Sequence, residues 1–427
     1  MEDVVFQKKL IKVSSTDNNN KFWNIVAFEN GKIEREWGRV SKTPRSKKEV
    51  VNSPENYAKN LFNKKMKDGY REVDTIENQK ITNNGNDLKE TALTQLTKNK
   101  TKEVKELIEN LVDSNIHNIL KSTTLKYDKN SGLFSTPLGI IGEKSIRNAR
   151  IKLDKISKKI NCKSFDLEWV SLCEDYLMIV PHEVGSKIKL ENIFGNADHI
   201  QKELAILKGL ETSIEMAQNQ SQIGEVEKEQ EKIFDVDINI VTDDKIIDYV
   251  KNKFNRNVSR NHPSSHLKVN RVFELNIKNM TNKFSIIEDE VGNNRKLWHG
   301  TRVGNLLSIL HKGMIIPPQN SGIVTGRMFG NGLYFSDVST KALNYSYGAW
   351  NKSGLSKNNN YYYALICNVL LGKEFQADKT HFQDSSYYPI RGYDSTVAKS
   401  GTLNLINNEM IVYKTEQVSP KYLVEFI

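Results

Sequence analysis

The spacing of apolar residues changes twice along this chain of 427 residues. Up to about residue 85, apolar and polar residues tend to alternate, as they do in half-buried strands. From about residue 90 to residue 220, apolar residues recur every three or four positions, as on one face of a helix. Beyond residue 236, short apolar runs return between glycines. These three patterns call for different secondary structure, and the length suits two to three domains.

The first part is predicted to be a small β-rich domain over residues 1–85. Residues 21–28 mix aromatic and β-branched side chains, Glu29-Asn30-Gly31 is a turn signal, and alternation resumes over residues 32–37. This is the pattern of a β-hairpin. Four apolar residues then lie on one side of a short helix that ends near Gly69: Ala58, Leu61, Phe62 and Met66. The polar residues 75–86 are predicted to be a linker.

The second part, residues 86–220, is predicted to be an all-α helical bundle. Three apolar stripes at helical spacing lie within residues 104–111, 146–160 and 200–217. Thr136-Pro137-Leu138-Gly139 would break any helix between them. We interpret the stripes as ordinary hydrophobic core. Residues 219–233 are polar and acidic, which is typical of an inter-domain linker.

The third part, residues 221–427, is predicted to be an α+β domain with a mostly antiparallel sheet. Its β-type runs are residues 238–241, 271–275, 363–369 and 410–413. The predicted fold class is therefore multi-domain α+β, with a β-rich, an all-α and an α+β domain in that order.

Charge and cysteine content narrow the function classes. The formal net charge is +10, which favours a polyanionic partner such as nucleic acid. The three cysteines, Cys162, Cys173 and Cys367, include no C-x-x-C pair, so neither a zinc site nor a disulfide framework is expected. The sequence shows no apolar run long enough to span a membrane and no secretory signal. We expect an intracellular protein with no membrane partner and no metal.

Three segments of the last part carry residues suited to chemistry. A strand-like apolar pair leads into His299 and Gly300, and a glycine lets the backbone approach a ligand closely. Tyr334 follows a glycine turn, and with Tyr345 it could stack on a flat ligand from both faces. Glu409 enters an apolar strand, where a carboxylate is costly unless it is paired or catalytic. Taken singly, the histidine is better explained as a strand-end residue and each tyrosine as core, and the glutamate suits a strand end that faces water equally well.

In their order and spacing, these segments resemble the H-Y-E signature of the poly(ADP-ribose) polymerase family. The resemblance is carried by Leu-Trp-His-Gly-Thr-Arg at residues 297–302, Gly-Met-Ile-Ile-Pro-Pro at 313–318, Val-Thr-Gly-Arg-Met-Phe-Gly-Asn-Gly-Leu-Tyr-Phe-Ser-Asp at 324–337 and Asn-Glu-Met-Ile-Val-Tyr at 408–413.

Upstream segments extend the resemblance over nearly the whole chain. Glu-Trp-Gly-Arg-Val at residues 36–40 is similar to the family's WGR domain. Thr-Pro-Leu-Gly at 136–139, Val-Pro-His at 180–182 and Asn-Ala-Asp at 196–198 resemble its helical regulatory domain. The likeness is to the short, DNA-dependent members without N-terminal zinc fingers. It implies three domains: a WGR DNA-binding domain at 1–85, a helical autoinhibitory domain at 86–220 and an ADP-ribosyltransferase domain at 221–427.

The resemblance implies that NAD⁺ is the substrate and that His299, Tyr334 and Glu409 form the catalytic triad. Family members break the nicotinamide–ribose bond through an oxocarbenium-like transition state and transfer ADP-ribose to an acceptor. His299 would then bond an adenosine-ribose hydroxyl, and Glu409 would hold the 2′-hydroxyl of the nicotinamide ribose. The Gly300 backbone would bind the carboxamide, and Tyr334 and Tyr345 would enclose the nicotinamide ring.

Three more residues enter the donor site by the same resemblance, and two positions depart from the family pattern. Thr301 and Asn305 would lie along the adenosine half, and Lys341 would lie beside the catalytic glutamate. Ala342 stands where the family usually has a serine that binds the carboxamide, and Ile315 stands where some members carry an arginine. The loss of one hydrogen bond would weaken NAD⁺ binding by about 0.5–1.5 kcal/mol.

The WGR resemblance implies a DNA contact. Trp37 would present its ring to a sugar or base at a DNA end, and Arg39 would reach a backbone phosphate. Four basic residues nearby either add phosphate contacts or form a solvated loop: Lys42, Arg45, Lys47 and Lys48.

The implied partners are damaged DNA ends or nicks and protein acceptors, including the chain itself. DNA breaks would loosen the helical domain, which otherwise restricts NAD⁺ entry, and a eukaryotic host would imply a nuclear location. The alternative function is a DNA-end-binding scaffold whose catalytic domain is weak or transfers single ADP-ribose units.

Overall fold

The computed structural model describes residues 2–72, 88–95, 100–184, 187–221, 235–316, 328–347, 361–378, 387–402 and 405–427. The predicted linker at residues 75–86 and most of the one at 219–233 lie outside these ranges. Contacts divide the chain into two compact units. The first contains residues 1–88 and 116–225, and the second contains residues 89–115 and most of 226–427.

The first unit begins with a five-stranded antiparallel sheet in the order β4-β3-β2-β1-β5. Its strands are β1 (Val4–Ser14), β2 (Asn19–Phe28), β3 (Lys32–Arg39), β4 (Arg45–Val50) and β5 (Arg71–Glu72). The predicted hairpin is β2–β3. Gly31 closes it at a φ of +90°, which disfavours any residue with a Cβ. The predicted short helix is α1 (Pro54–Lys67), and its Ala58 packs with Leu10 and Trp23 on one face of the sheet.

The opposite face of this sheet packs against the helical region, which the sequence pattern did not predict. Ile11, Val13 and Phe22 belong to the same buried cluster as the helix residues Leu153 and Leu207. Polar contacts join the two parts as well: Asn24 Nδ2 donates to the Pro137 carbonyl oxygen at 3.0 Å, and Arg71 pairs with Asp175 at 2.7 Å. Both faces of the sheet are therefore covered.

Between residues 88 and 221, the described part of the chain contains six helices: α2 (Leu88–Gln95), α3 (Lys102–Ser122), α4 (Glu143–Asn161), α5 (Leu167–Ile179), α6 (Glu191–Phe194) and α7 (Ala197–Ser221). The three predicted stripes are confirmed as the buried faces of α3, α4 and α7. A small three-stranded sheet, absent from the prediction, also lies here: β6 (Lys126–Asp128), β7 (Leu133–Thr136) and β8 (Gly139–Ile140). Thr136-Pro137-Leu138-Gly139 forms the turn between β7 and β8, with Gly139 at a φ of +133°.

The second unit contains two sheets, and nearly all their strand pairs are antiparallel, as predicted. One sheet has the order β11-β13-β17-β10-β9 and the other β12-β16-β15-β14, with only β14 and β15 parallel among the described pairs. The strands are β9 (Val236–Ile240), β10 (Val269–Ile277), β11 (Asn294–His299), β12 (Leu333–Phe335), β13 (Tyr362–Leu370), β14 (Glu374–Ala377), β15 (Ser395–Ala398), β16 (Glu409–Val412) and β17 (Val418–Phe426).

Helices cover these sheets, and one backbone bridge joins them. The helices are α8 (Asp244–Arg256), α9 (Lys278–Val291), α10 (Val303–Lys312) and α11 (Ser339–Tyr347), with 3₁₀ turns at Pro263–His266 and Thr415–Gln417. Trp298 and Ser336 exchange backbone hydrogen bonds of 2.9 and 3.0 Å. This bridge brings the end of β11 beside the end of β12. In the described part of the chain, no helix is both long and apolar enough to cross a membrane.

Candidate active site

The bridge between the sheets places His299, the last residue of β11, against β12. Its Nδ1 lies 3.0 Å from the carbonyl oxygen of Tyr334 and therefore donates to it. The imidazole ring also packs beside Phe335, with the ring centroids 5.5 Å apart. These two contacts fix the orientation of the ring, and in the neutral form they make Nδ1 the protonated nitrogen.

Gly300 allows the end of β11 to touch helix α11. A Cβ at this position would lie 1.8 Å from the carbonyl oxygen of Ala342 and 2.5 Å from its carbonyl carbon. Both are backbone atoms, so no change of rotamer could relieve the contact. The glycine is required for this close approach, in addition to any role of its own backbone at a ligand.

The two predicted tyrosines lie on neighbouring elements. The Tyr334 hydroxyl, from β12, donates to the carbonyl oxygen of Gly330 at 2.8 Å and accepts from the Phe329 N–H at 3.1 Å. It therefore holds the turn that precedes its own strand. Tyr345 lies on α11 with 50% of its surface exposed, which leaves ring surface for a stacked ligand.

Glu409 opens β16 and forms an ion pair with Lys341 of α11. Lys341 Nζ lies 2.5 Å from Glu409 Oε1, and the two side chains are only 12% and 15% exposed. The ammonium also lies 3.5 Å from the carbonyl oxygen of Asn408. The carboxylate is thus paired and largely shielded from water, which excludes the alternative of a glutamate that simply faces solvent.

A second group of polar contacts fixes the residue before Glu409. Asn408 Nδ2 donates to Asp337 Oδ2 at 2.8 Å, and its Oδ1 accepts from the Ser400 N–H at 2.8 Å. Its carbonyl oxygen accepts from Ser336 Oγ at 2.9 Å. Asn408, Ser336 and Asp337 lie within the motifs quoted above, but their sequence context predicts no role for them. Their only sequence signal is that they are polar residues adjacent to site residues.

The predicted adenosine-side residues meet at the start of α10. Asn305 Nδ2 donates to Thr301 Oγ1 at 3.1 Å. The Asn305 Oδ1 atom is buried, and within the described ranges no donor lies opposite it. A buried acceptor without a donor costs free energy, which a bound ligand carrying an N–H or O–H group would recover.

The two departures from the family pattern differ in their surroundings. Ala342 is buried and belongs to the core cluster that contains Trp298 and Leu343. Ile315 follows α10 and is 53% exposed. Within the described residues, no group of three or more His, Cys, Asp or Glu side chains could hold a metal ion.

Trp37 and Arg39 lie on the same face of β3, since they are two residues apart. The Arg35 guanidinium lies 6.0 Å from the Trp37 ring centroid, and Arg39 Nη1 lies 3.5 Å from the Asn18 carbonyl oxygen. Trp37 is partly buried against the cluster beneath α1.

Two members of the nearby basic cluster are paired. Lys47 bonds Glu49 at 2.7 Å and Lys48 bonds Glu34 at 2.9 Å, whereas Lys42 and Arg45 are exposed. Half of this cluster therefore carries a neutralising partner.

Comparison with known proteins gives three domains in the same order along the chain as the β-rich, helical and two-sheet regions described above. Three family models match successive segments: the WGR domain at residues 6–77, the poly(ADP-ribose) polymerase regulatory domain at 98–237 and the poly(ADP-ribose) polymerase catalytic domain at 245–427. Together with the two-sheet fold of the second unit, they define a chain of three domains in the order WGR, regulatory and catalytic.

Relatives share this arrangement along the chain. Poly [ADP-ribose] polymerase 1 of Xenopus laevis is 25% identical across 99% of this chain and 45% of its own length. Poly [ADP-ribose] polymerase 2-B of Oryza sativa subsp. japonica is 24% identical across 99% of this chain and 72% of its own length. The chain thus spans less than half of the frog relative. It belongs to the poly(ADP-ribose) polymerase family, and residues 245–427 match the catalytic domain of that family.

Proposed function

We propose that the chain cleaves NAD⁺ at the nicotinamide–ribose bond and transfers ADP-ribose to protein acceptors, including itself. The observation that carries this proposal is the shielded Lys341–Glu409 pair in a family catalytic domain, on elements adjoining those of His299 and Tyr334. A glutamate held in this way can accept a hydrogen bond from the 2′-hydroxyl of the nicotinamide ribose. Its negative charge then lies near the cation that develops at the anomeric carbon.

The remaining residues bind different parts of the NAD⁺ molecule. The backbone of Gly300 bonds the carboxamide, while Tyr334 and Tyr345 enclose the nicotinamide ring. On the other half, His299 bonds the adenosine ribose, and Asn305 offers its buried Oδ1 to a donor of the ligand. Because Glu409 can also polarise an incoming ribose hydroxyl, we propose that the chain elongates polymer as well as starting it.

We further propose that broken DNA activates this transfer in a DNA-damage response. The match to a WGR domain, the positive net charge and the placement of Trp37 and Arg39 on one strand face support a contact with DNA ends or nicks. The regulatory-domain match supports a helical region that limits NAD⁺ entry until DNA is bound. In a eukaryotic cell this activity would take place in the nucleus.

Labelled NAD⁺ tests the proposal directly. Purified protein incubated with the label is expected to modify itself more in the presence of nicked duplex than in its absence. Label that appears equally with and without DNA would remove the activation claim. Binding to nicked DNA with no label would instead support the scaffold function, for which the Ala342 departure is the specific argument. Products of single units would identify a mono-ADP-ribosyltransferase.

Restoring the family's hydroxyl at residue 342 is expected to tighten donor binding. The Ala342→Ser variant should lower the KM for NAD⁺ by roughly 2- to 10-fold, because one hydrogen bond contributes about 0.5–1.5 kcal/mol. The Ala342→Cys variant is the matched control, since its thiol has similar size but bonds weakly. Steady-state kinetics that show the same KM for both variants would mean that residue 342 does not contact the donor.

A neutral replacement at Arg39 is expected to weaken DNA binding. The Arg39→Gln variant should lose roughly tenfold in affinity for nicked duplex, because it loses a charged hydrogen bond to phosphate. The slope of log affinity against log salt should fall by about 0.9. Lys48→Gln serves as the control, because Lys48 already pairs with Glu34. Fluorescence anisotropy over a salt series measures both, and equal losses in the two variants would indicate a diffuse charge effect instead of a phosphate contact.

A further inference from the structure

His262 is a buried histidine that has no role in the active site described above. It directly precedes the 3₁₀ turn Pro263–His266 and is 6% exposed. Its Nδ1 lies 2.9 Å from Thr340 Oγ1, and its Nε2 lies 3.4 Å from Asn407 Nδ2. Both partners are buried as well. The ring therefore connects α11 with the segment that precedes β16.

The positions of these two partners are informative. Thr340 immediately precedes Lys341 on α11, and Asn407 stands two residues before Glu409. His262 thus contacts one residue next to Lys341 and one residue near Glu409, the two members of the ion pair.

The chemistry of the contacts fixes the state of the ring. An amide nitrogen such as Asn407 Nδ2 only donates, so the Nε2 atom of His262 accepts. Its Nδ1 then carries the proton and donates to Thr340 Oγ1, which also accepts from the Ser259 N–H at 3.0 Å. Burial and the nearby charge of Lys341 both lower the pKa of His262, which keeps the ring neutral, as this pattern requires.

The segment that carries His262 is itself fastened to α11. Ser264 Oγ lies 2.6 Å from Asn344 Oδ1 and 3.2 Å from the Thr340 carbonyl oxygen, and both side chains are buried. Ser339 Oγ donates to the carbonyl oxygen of Phe254, at the end of α8. The histidine therefore projects from a backbone that cannot shift relative to α11 without breaking several buried hydrogen bonds.

We propose that His262 is a positioning residue that, by bonding Thr340 and Asn407 at once, holds Lys341 at Glu409. The proposal rests on the transferase function for its consequence in catalysis, but its geometric part stands alone. Without the ring, the link through Asn407 between α11 and the segment before β16 is lost, and among the described residues only the contacts of Asn408 and Glu409 remain there. The ion pair then loses the alignment that places the carboxylate at the ribose.

The test compares His262→Phe, which keeps ring volume but has no nitrogen, with His266→Phe. His266 lies in the same 3₁₀ turn but is exposed, so it is the matched control. The His262→Phe variant should lower kcat by roughly 10- to 100-fold, as misplaced catalytic groups do, with the KM for NAD⁺ within about twofold of wild type. Thr340→Val removes the other end of the contact and should reproduce the split between kcat and KM.

Crystal structures of wild type and His262→Phe give the readout that does not depend on activity. The distance between Lys341 Nζ and Glu409 Oε1 should lengthen beyond hydrogen-bond range in the variant. An unchanged ion pair, or wild-type kcat in the folded His262→Phe and Thr340→Val variants, would overturn the positioning role and leave the transferase function intact. A wild-type protein without transfer activity would overturn the function, while the crystal distance would still decide the positioning role. If His262→Phe does not fold, Thr340→Val supplies both measurements.

Discussion

Replacing Glu409 with glutamine is expected to lower ADP-ribose transfer by about 10²- to 10³-fold, the usual effect of removing one preorganised electrostatic group from a transition state. Glutamine keeps the shape of the side chain but removes the negative charge beside the developing oxocarbenium ion. Chain elongation should fall further, because the carboxylate is also proposed to polarise the acceptor hydroxyl. Labelled NAD⁺ followed by separation of products by length measures both effects.

A second substitution, at Lys341, separates the effect of Glu409→Gln on stability from its effect on catalysis. In the Glu409→Gln variant, a largely shielded ammonium loses its carboxylate at 2.5 Å, and a partly buried charge without its partner destabilises the fold. The double variant Glu409→Gln with Lys341→Met should therefore regain melting temperature but no transfer activity. Undiminished polymer from the single variant would refute the assignment of Glu409 as the catalytic carboxylate.

The helices and strands that could be predicted from the sequence are those in which buried residues recur at the period of a strand or a helix. The β2–β3 hairpin and the buried faces of α3, α4 and α7 follow directly from alternation and from helical spacing. Helix α5 is not predicted by its spacing, because its last four residues, Tyr176 to Ile179, are all buried and this continuous apolar run obscures the helical period.

The shared core of the first unit has a signal in the sequence, in pairs of adjacent large apolar residues. Leu10 and Ile11 are adjacent and both buried, the first against α1 and the second against the helical region. Phe22 and Trp23 repeat this arrangement on the neighbouring strand. Because successive side chains of a strand point to opposite faces, paired large apolar residues predict a sheet that is covered on both sides.

The residues of the candidate site can be predicted from a family signature. The residues that hold them in place cannot. His299, Tyr334 and Glu409 each had an ordinary structural alternative, and only their ordered surroundings favoured a site. The contacts that hold them join distant parts of the chain: Ser336 to Asn408, and His262 to Asn407. One sequence gives no measure of such proximity, since periodicity reports burial but not which buried polar groups meet.

Substituting alanine for Gly300 is expected to lower transfer activity by roughly 100-fold, the usual cost of displacing catalytic groups by about 1 Å. The added Cβ would lie 1.8 Å from the Ala342 carbonyl oxygen and 2.8 Å from its Cα. Neither atom can rotate away, so β11 and α11 must separate. That movement displaces His299 at the end of the strand, and on the helix it displaces Lys341 together with the proposed stacking surface of Tyr345.

The effect of Gly300→Ala must be told apart from a general loss of stability, and Gly292→Ala provides the comparison. Gly292 follows α9 at a φ of +66° with no atom within 4 Å of an added Cβ, so alanine there brings backbone strain of about 1–3 kcal/mol but no clash. Gly292→Ala should therefore lower the melting temperature and leave kcat of the folded protein near wild type. Gly300→Ala should lower kcat and raise the KM for NAD⁺ even well below its melting temperature. If Gly300→Ala instead behaves like Gly292→Ala, the contact between strand and helix does not set the geometry of the site, and the close approach at Ala342 is a matter of packing alone.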